Sequence, residues 1–374
     1  MALVTMSDAE IGKESWFWSW FRWSRTSYAM LRSAEKKILS HLKTAYRGWY
    51  VDIGSVVGEG DRVWTVSLNQ AQAGGASEGG NGTRQQRVPL VLLHGLGSGS
   101  ALWVLNFDAL AVSRPVYAID LLGFGRSSRP VFSSDSVEAE NQLVQSVEEW
   151  RREMQLDSMI LLGHSMGGFL AASYAIRYPQ RIKHLILADP WGFPEKPDDL
   201  QRRTAVPLWV QAIAYLVQPL NPLWAVRFAG PFGQWLIQKT RPDLVSKFSH
   251  VVPNDEQIIS QYIYQCNVQN PTGESAFHAM MSGFGWAKNP MAPRMESLSK
   301  DVPVTLLYGS RSWVDNTAGE EIRKRRAGSY VNVQVISGAG HHVYADKSEA
   351  FNKHVVEACE YSDPSVTSKT VANR

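Results

Sequence analysis

A short apolar run, Met159-Ile160-Leu161-Leu162, leads into Gly163-His164-Ser165-Met166-Gly167 and then into the small-residue stretch Gly168-Phe169-Leu170-Ala171-Ala172. This is strand, sharp turn, helix. A Gly-x-Ser-x-Gly turn in that context needs glycines where the backbone passes close to its neighbours, because a Cβ there would clash. It also lifts the serine hydroxyl out of the sheet, where it can act as a nucleophile. Without the flanking strand and helix the same five residues would be a serine in a tight turn with no chemistry. The context makes Ser165 the first candidate for acyl transfer.

The same alternation extends on both sides. Apolar runs at Pro89–Leu93, Val116–Ile119, Ser158–Leu162, His184–Ala188, Val302–Tyr308 and Val331–Ile336 read as buried strands, with a further strand at Arg62–Leu68. Helical patterns cover 137–156 and Gly168–Tyr178. Strands alternating with helices predict a mostly parallel, doubly wound α/β sheet, whose ligands sit at the carboxyl ends of the strands. The rhythm breaks from about Asp189 to Asp301, where tryptophans and prolines are frequent and helical pieces stand near 207–217 and 234–238. That stretch is too long for a connecting loop and is expected to form an inserted helical cap, either around an acyl-chain pocket or with an ordinary hydrophobic interior. The expected organisation is an arm and amphipathic helix over 1–50, a core of 60–190 and 300–360, a cap over 190–300 and a flexible tail over 361–374. Residues 71–87 read as a flexible Gly- and Ser-rich loop.

The arm is unlike the rest. Trp16, Trp18, Trp20 and Trp23 belong to a segment with six aromatics in eight positions, and Arg22 lies inside it. Indoles favour the interfacial layer of lipid, so the segment is expected to lie on a lipid surface without crossing it. Leu31, Ala34, Ile38, Leu42 and Ala45 continue with a helical stripe flanked by Lys36, Lys37, Lys43 and Arg47, read the same way. The alternative is an arm packed on its own domain. Several classes are excluded by composition. A net charge of +3 with no basic stripe gives no reason to expect nucleic acid. Two cysteines, Cys266 and Cys359, give neither a disulfide framework nor zinc-ligand spacing, and no metal is expected. No apolar run approaches the ~20 residues of a spanning helix, and Met1–Glu14 has no signal-peptide core. These features favour a reducing, cytoplasmic setting, in which Asn81-Gly82-Thr83 is a chance glycosylation match.

A serine nucleophile needs a base, a carboxylate to orient the base, and backbone donors for the oxyanion. His341, in Gly338-Ala339-Gly340-His341-His342 after the last strand, is the expected base, with His342 its competitor. The expected oxyanion donors are the N–H groups of Met166 and of Leu96, in His94-Gly95-Leu96-Gly97. The strand Val302–Tyr308 runs into Gly309-Ser310-Arg311-Ser312-Trp313-Val314-Asp315. Hydrolases built this way commonly carry an aspartate three residues past that glycine, and here Ser312 holds the place. Asp315 is the expected acid because it precedes His341 in the chain order Ser, acid, His, with Asp189 as the alternative. Asp120 is read as a turn-stabilising carboxylate.

The chain resembles the α/β-hydrolase-domain subfamily of members four and five, which holds a lysophospholipase-type enzyme and a lipid-droplet lipase coactivator that also acylates lysophosphatidic acid. The resemblance runs from the Trp-rich arm to about Glu360. It rests on Asp120-Leu121-Leu122-Gly123-Phe124-Gly125-Arg126-Ser127-Ser128-Arg129-Pro130, Asp189-Pro190-Trp191-Gly192-Phe193-Pro194, Phe284-Gly285-Trp286-Ala287 and His341-His342-Val343-Tyr344-Ala345-Asp346. It implies an α/β-hydrolase fold, a lipid-droplet anchor in the arm, lysophospholipid and acylglycerol substrates, and a triad matching Ser165, Asp315 and His341. The run His341 to Asp346 resembles the family's acyltransferase-type motif. The resemblance also implies no cofactor, with acyl-CoA as co-substrate where transfer is the outcome. Arg311 and Gly340 match positions with which the coactivator branch switches on adipose triglyceride lipase. That lipase, a perilipin-type coat protein and a lipid-droplet or membrane surface are the implied partners. The coactivator branch usually carries Asn at the elbow, whereas this chain carries Ser165.

Overall fold

The computed structural model describes residues 26–70, 87–197, 223–248, 251–252, 255, 257–283 and 285–363. Eight strands form one sheet: β1 (Tyr46–Asp52), β2 (Arg62–Leu68), β3 (Leu90–Leu93), β4 (Val116–Ile119), β5 (Met159–His164), β6 (Ile182–Ala188), β9 (Val304–Gly309) and β10 (Val331–Ile336). Strands β7 (Met281–Ser282) and β8 (Trp286–Ala287) make a separate antiparallel hairpin. The sheet order is β1-β2-β4-β3-β5-β6-β9-β10. Its first three strands pair antiparallel, and every pairing from β4–β3 onward is parallel.

Alternate residues of the central strands enter opposite cores, as the two-residue period of a strand requires. Val91, Leu93 and Leu161 pack with the helices Ser136–Glu153 and Met166–Arg177, through Leu143, Trp150, Phe169 and Tyr174. Leu90, Leu92, Ile160 and Leu162 pack on the other face with Phe107, Phe351 and Val355. Burial on both faces explains why these strands read as unbroken apolar runs. The strand order puts β5, β6 and β9 side by side, so the loops after Ser165, Asp189 and Gly309 open at one edge of the same sheet.

Two expectations for the N-terminal part are corrected. The helix Tyr28–Leu39 is amphipathic, but its stripe of Leu31, Ala34 and Ile38 is at most 1% exposed, packed against the protein's own core and not laid on lipid. Glu35 locks it there by an ion pair with Arg126, 2.8 Å away and nearly buried on both sides. The Arg126 guanidinium also lies 3.4 Å over the Trp64 ring. Burial pushes the Glu35 carboxyl up to about 7, against the pull of Arg126. Strand β1 crosses the expected boundary at 50 and belongs to the sheet. Trp16, Trp18, Trp20 and Trp23 lie outside the described residues. At the other end Asp363, placed in the tail, is buried and pairs with Arg114 at 3.0 Å.

Apart from the β7–β8 hairpin, the described part of 190–300 is mainly helical, as expected of a cap: Trp224–Phe228, Gly233–Thr240, Pro242–Lys247, Gln257–Asn267 and Thr272–Met280. The helical piece expected at 234–238 falls inside the second of these, whereas 207–217 lies outside the described residues. Among the described residues no helix is long and apolar enough to cross a membrane. Cys266 and Cys359 are both free and buried.

Candidate active site

Ser165 stands between β5 and its helix with φ 52° and ψ −119°, a left-handed conformation that costs a non-glycine residue about 1–3 kcal/mol. The surroundings hold it there. Its N–H donates to the Ala188 carbonyl at 3.0 Å, and its own carbonyl accepts from Gly168, Phe169 and Trp191. The two glycines of the motif are sterically required. A Cβ on Gly163 would meet the Gly167 carbonyl oxygen at 2.1 Å, and one on Gly167 would meet the carbonyl oxygens of Leu93 and His94 at 2.5 Å. The loop after β3 passes directly over the serine, where a Cβ on Gly95 would lie 3.1 Å from Ser165 Cβ. Met166 opens the helix, so its N–H has no carbonyl one turn back to bond. Leu96 lines the same cavity as Ser165.

His341 reaches the serine. Its Nε2 lies 3.0 Å from Ser165 Oγ, and its Nδ1 lies 2.5 Å from Asp189 Oδ2. The Nδ1–H therefore donates to the carboxylate, leaving Nε2 as the acceptor for the serine hydroxyl. This corrects the expectation for the acid. Asp315 is exposed, and its Oδ1 accepts from its own loop, the Thr317 N–H at 2.9 Å. Asp189, the alternative, is fully buried at the end of β6. It also accepts from the Gly309 N–H at 3.1 Å and from the Ser312 hydroxyl. The physical reason is spatial. Strands β6 and β9 are neighbours, so a carboxylate after β6 can occupy the place beside the histidine that the loop after β9 leaves to Ser312.

The histidine loop is braced on several sides. His164 Nε2–H donates to the His341 carbonyl at 2.9 Å, and the Trp313 ring lies 5.1 Å from the His341 ring. Asp346 does not pair with His341. Its Oδ2 accepts from the Gly340 N–H at 2.8 Å, and its Oδ1 meets Lys247 of the cap at 2.9 Å, which fixes the loop from below the base. Arg311 is exposed, and its backbone N–H donates to Ala339, beside Gly340. His342 makes no bond to Ser165 in this arrangement; it lines the cavity next to His341. Asp120 organises a turn as expected, accepting from the N–H groups of Ser100 and Arg126. Lys247 had no motif to mark it, and nothing in the sequence joined Ser312 to Asp189. The cavity over Ser165 measures about 770 Å³ and is walled by Phe132, Trp191, Leu223, Phe277 and Met281.

A buried serine hydrogen-bonded to a histidine that in turn meets a buried carboxylate, under a helical cap on a mostly parallel sheet, defines a class. A model of the alpha/beta hydrolase fold matches residues 88–348, and the chain belongs to that family. Mouse 1-acylglycerol-3-phosphate O-acyltransferase ABHD5 is 47% identical over 338 residues, 90% of this chain and 91% of its own. Mouse (Lyso)-N-acylphosphatidylethanolamine lipase is 46% identical over 338 residues, 90% of this chain and 94% of its own. A solved structure of a membrane phospholipase A, a bacterial virulence factor, superposes with a TM-score of 0.58 at 21% identity, covering 89% of this chain and 90% of that one. That likeness speaks to the fold alone.

Four histidines around and behind the site, His94, His164, His184 and His342, are held neutral by burial, His184 with its pKa pushed down to about 3. In the unfolded chain each takes a proton near its ordinary value of 6.5. The unfolded state therefore binds more protons below pH 6.5, and stability is lost as pH falls from there towards the folded values. Glu35 works in the opposite sense between its ordinary value and about 7, but the histidines outnumber it. Denaturant unfolding at pH 7, 6 and 5 should show a falling midpoint, and His184→Gln should flatten the fall by up to ~1.4 kcal/mol per pH unit.

Proposed function

We propose that this chain is a serine-dependent acyl hydrolase and acyltransferase acting on lysophospholipids, with acylation of lysophosphatidic acid among its reactions. The observation that carries the reading is the hydrogen-bonded chain Ser165–His341–Asp189 opening into a large, mostly apolar cavity. In this reading His341 Nε2 takes the Ser165 proton as Oγ attacks the acyl carbonyl, and Asp189 stabilises the imidazolium that forms. The N–H groups of Leu96 and Met166 receive the oxyanion. Collapse expels the leaving oxygen or thiol, which takes its proton from His341, and leaves the acyl group on Ser165. Water then releases a fatty acid, whereas the free hydroxyl of a lysophosphatidic acid receives the acyl group. No cofactor is assigned; acyl-CoA enters as co-substrate when transfer is the outcome. The names of the two mouse relatives, an acyltransferase and a lipase, fit the two fates of one acyl-enzyme. The Trp-rich segment at 16–23 supports a peripheral position on lipid droplets or membranes.

A fluorophosphonate probe should label the wild-type chain, and Ser165→Ala should cut labelling and lysophospholipid turnover by about 10³-fold or more. Equal labelling of both proteins, or of neither, overturns the reading.

A second reading is favoured by the exposed Arg311 beside Gly340. Here the loops that carry the base also form a surface that stimulates a separate adipose triglyceride lipase on a perilipin-type coat, giving regulation of triacylglycerol lipolysis. Arg311→Asn with Gly340→Ser should abolish that stimulation in a reconstituted lipase assay. Stimulation left intact removes the reading.

A further inference from the structure

Beyond Trp313 lies a second recess of about 250 Å³, which shares Trp191, Gly285 and Trp313 as walls with the main cavity. Its composition differs from the cavity's. Three indoles, Trp191, Trp286 and Trp313, line it with prolines, and its single charged group among the described residues is Asp315. The cations lie on the other side of the shared wall, where Arg241 and Lys288 line the main cavity. The Asp315 carboxylate is oriented by the Thr317 N–H at 2.9 Å and has no part in the hydrogen bonds of His341. Trp313 is 63% exposed, and its ring lies 5.1 Å from the His341 ring, so this recess opens within reach of the reacting groups.

Indole faces attract alkylammonium ions through the ring quadrupole, and tryptophan does so best of the aromatic side chains. A carboxylate on the same wall adds a full negative charge. We propose that the recess is a subsite for the ammonium end of a zwitterionic lysophospholipid, whose phosphodiester faces Arg241 and Lys288. The division of charge follows the division of the headgroup: a cationic rim for the phosphate and an aromatic, acidic recess for the nitrogen. This inference deepens the lysophospholipid reading and rests on it.

Monomeric dodecylphosphocholine and dodecylphosphoglycerol carry the same chain and phosphodiester and differ in the ammonium. Titrated calorimetrically into the full chain carrying Ser165→Ala, the choline ligand should bind roughly tenfold more tightly. Trp313→Leu and Asp315→Asn, both at exposed positions, should each reduce that preference to about twofold or less. Equal binding of the two ligands, or a preference that survives both substitutions, overturns the proposal. Choline alone competing at the same concentration as dodecylphosphocholine overturns the assignment to a lipid. Fluorophosphonate labelling of Ser165 in the parent chain separates the two readings. A choline preference without labelling keeps the recess and removes the acyl chemistry, and labelling without a preference does the reverse.

Discussion

A Cβ on Gly163 would stand 2.1 Å from the carbonyl oxygen of Gly167, and the architecture of the site follows from that lack of room. The turn closes so tightly that Ser165 is forced to positive φ, with its hydroxyl presented beyond the end of β5. Backbone strain of this size persists only where the surroundings over-determine it. Here they do, through the carbonyl of Ala188 on one side and the N–H groups of Gly168, Phe169 and Trp191 on the other. The same crowding brings the loop of Gly95 and Leu96 over the serine.

Beside that fixed serine, His341 and the carboxylate it meets are delivered by segments far apart in sequence. Asp189 follows β6 and Ser312 follows β9, and the Ser312 hydroxyl and His341 Nδ1–H both donate to Asp189 Oδ2. The place of the acid is thus defined by the sheet, and either of two neighbouring loops can fill it. The His341 loop is held from outside the Ser165–His341–Asp189 hydrogen bonds as well. His164 carries the His341 carbonyl, while Asp346 ties the Gly340 N–H to Lys247 of the cap. This gives the His341-to-Asp346 run a physical role: its aspartate braces the His341 loop without touching the imidazole. Asp315, free of that duty, is left on the acidic side of an aromatic recess.

What could be read from the residues alone was whatever depends on local period and steric need. The strands Arg62–Leu68, Val116–Ile119 and Val331–Ile336 have the bounds their apolar patterns indicate, and the Gly-x-Ser-x-Gly turn names its own backbone. His341 was legible because the last parallel strand ends just before it. The carboxylate beside it was not, since chain order permits both Asp189 and Asp315, and only the contact of His341 with Asp189 separates them. The stripe from Leu31 to Ile38 illustrates the same limit. An apolar helix face is identical in sequence whether it meets lipid or its own core. The deciding contact, Glu35 with Arg126, joins residues too far apart for any periodicity to reveal.

Asp189, and not a residue of the loop after β9, holds His341 at Nδ1. The direct measurement is the rate of Ser165 acylation by a fluorophosphonate in Asp189→Asn, with and without Ser312→Asp. The single variant should react about 10³- to 10⁴-fold more slowly than wild type, as expected when a histidine loses its orienting carboxylate. The added Ser312→Asp should restore at least about tenfold of the loss, because it returns a carboxylate to the loop that already meets the His341–Asp189 contact. Acylation of Asp189→Asn at the wild-type rate would show that Asp189 does not support His341.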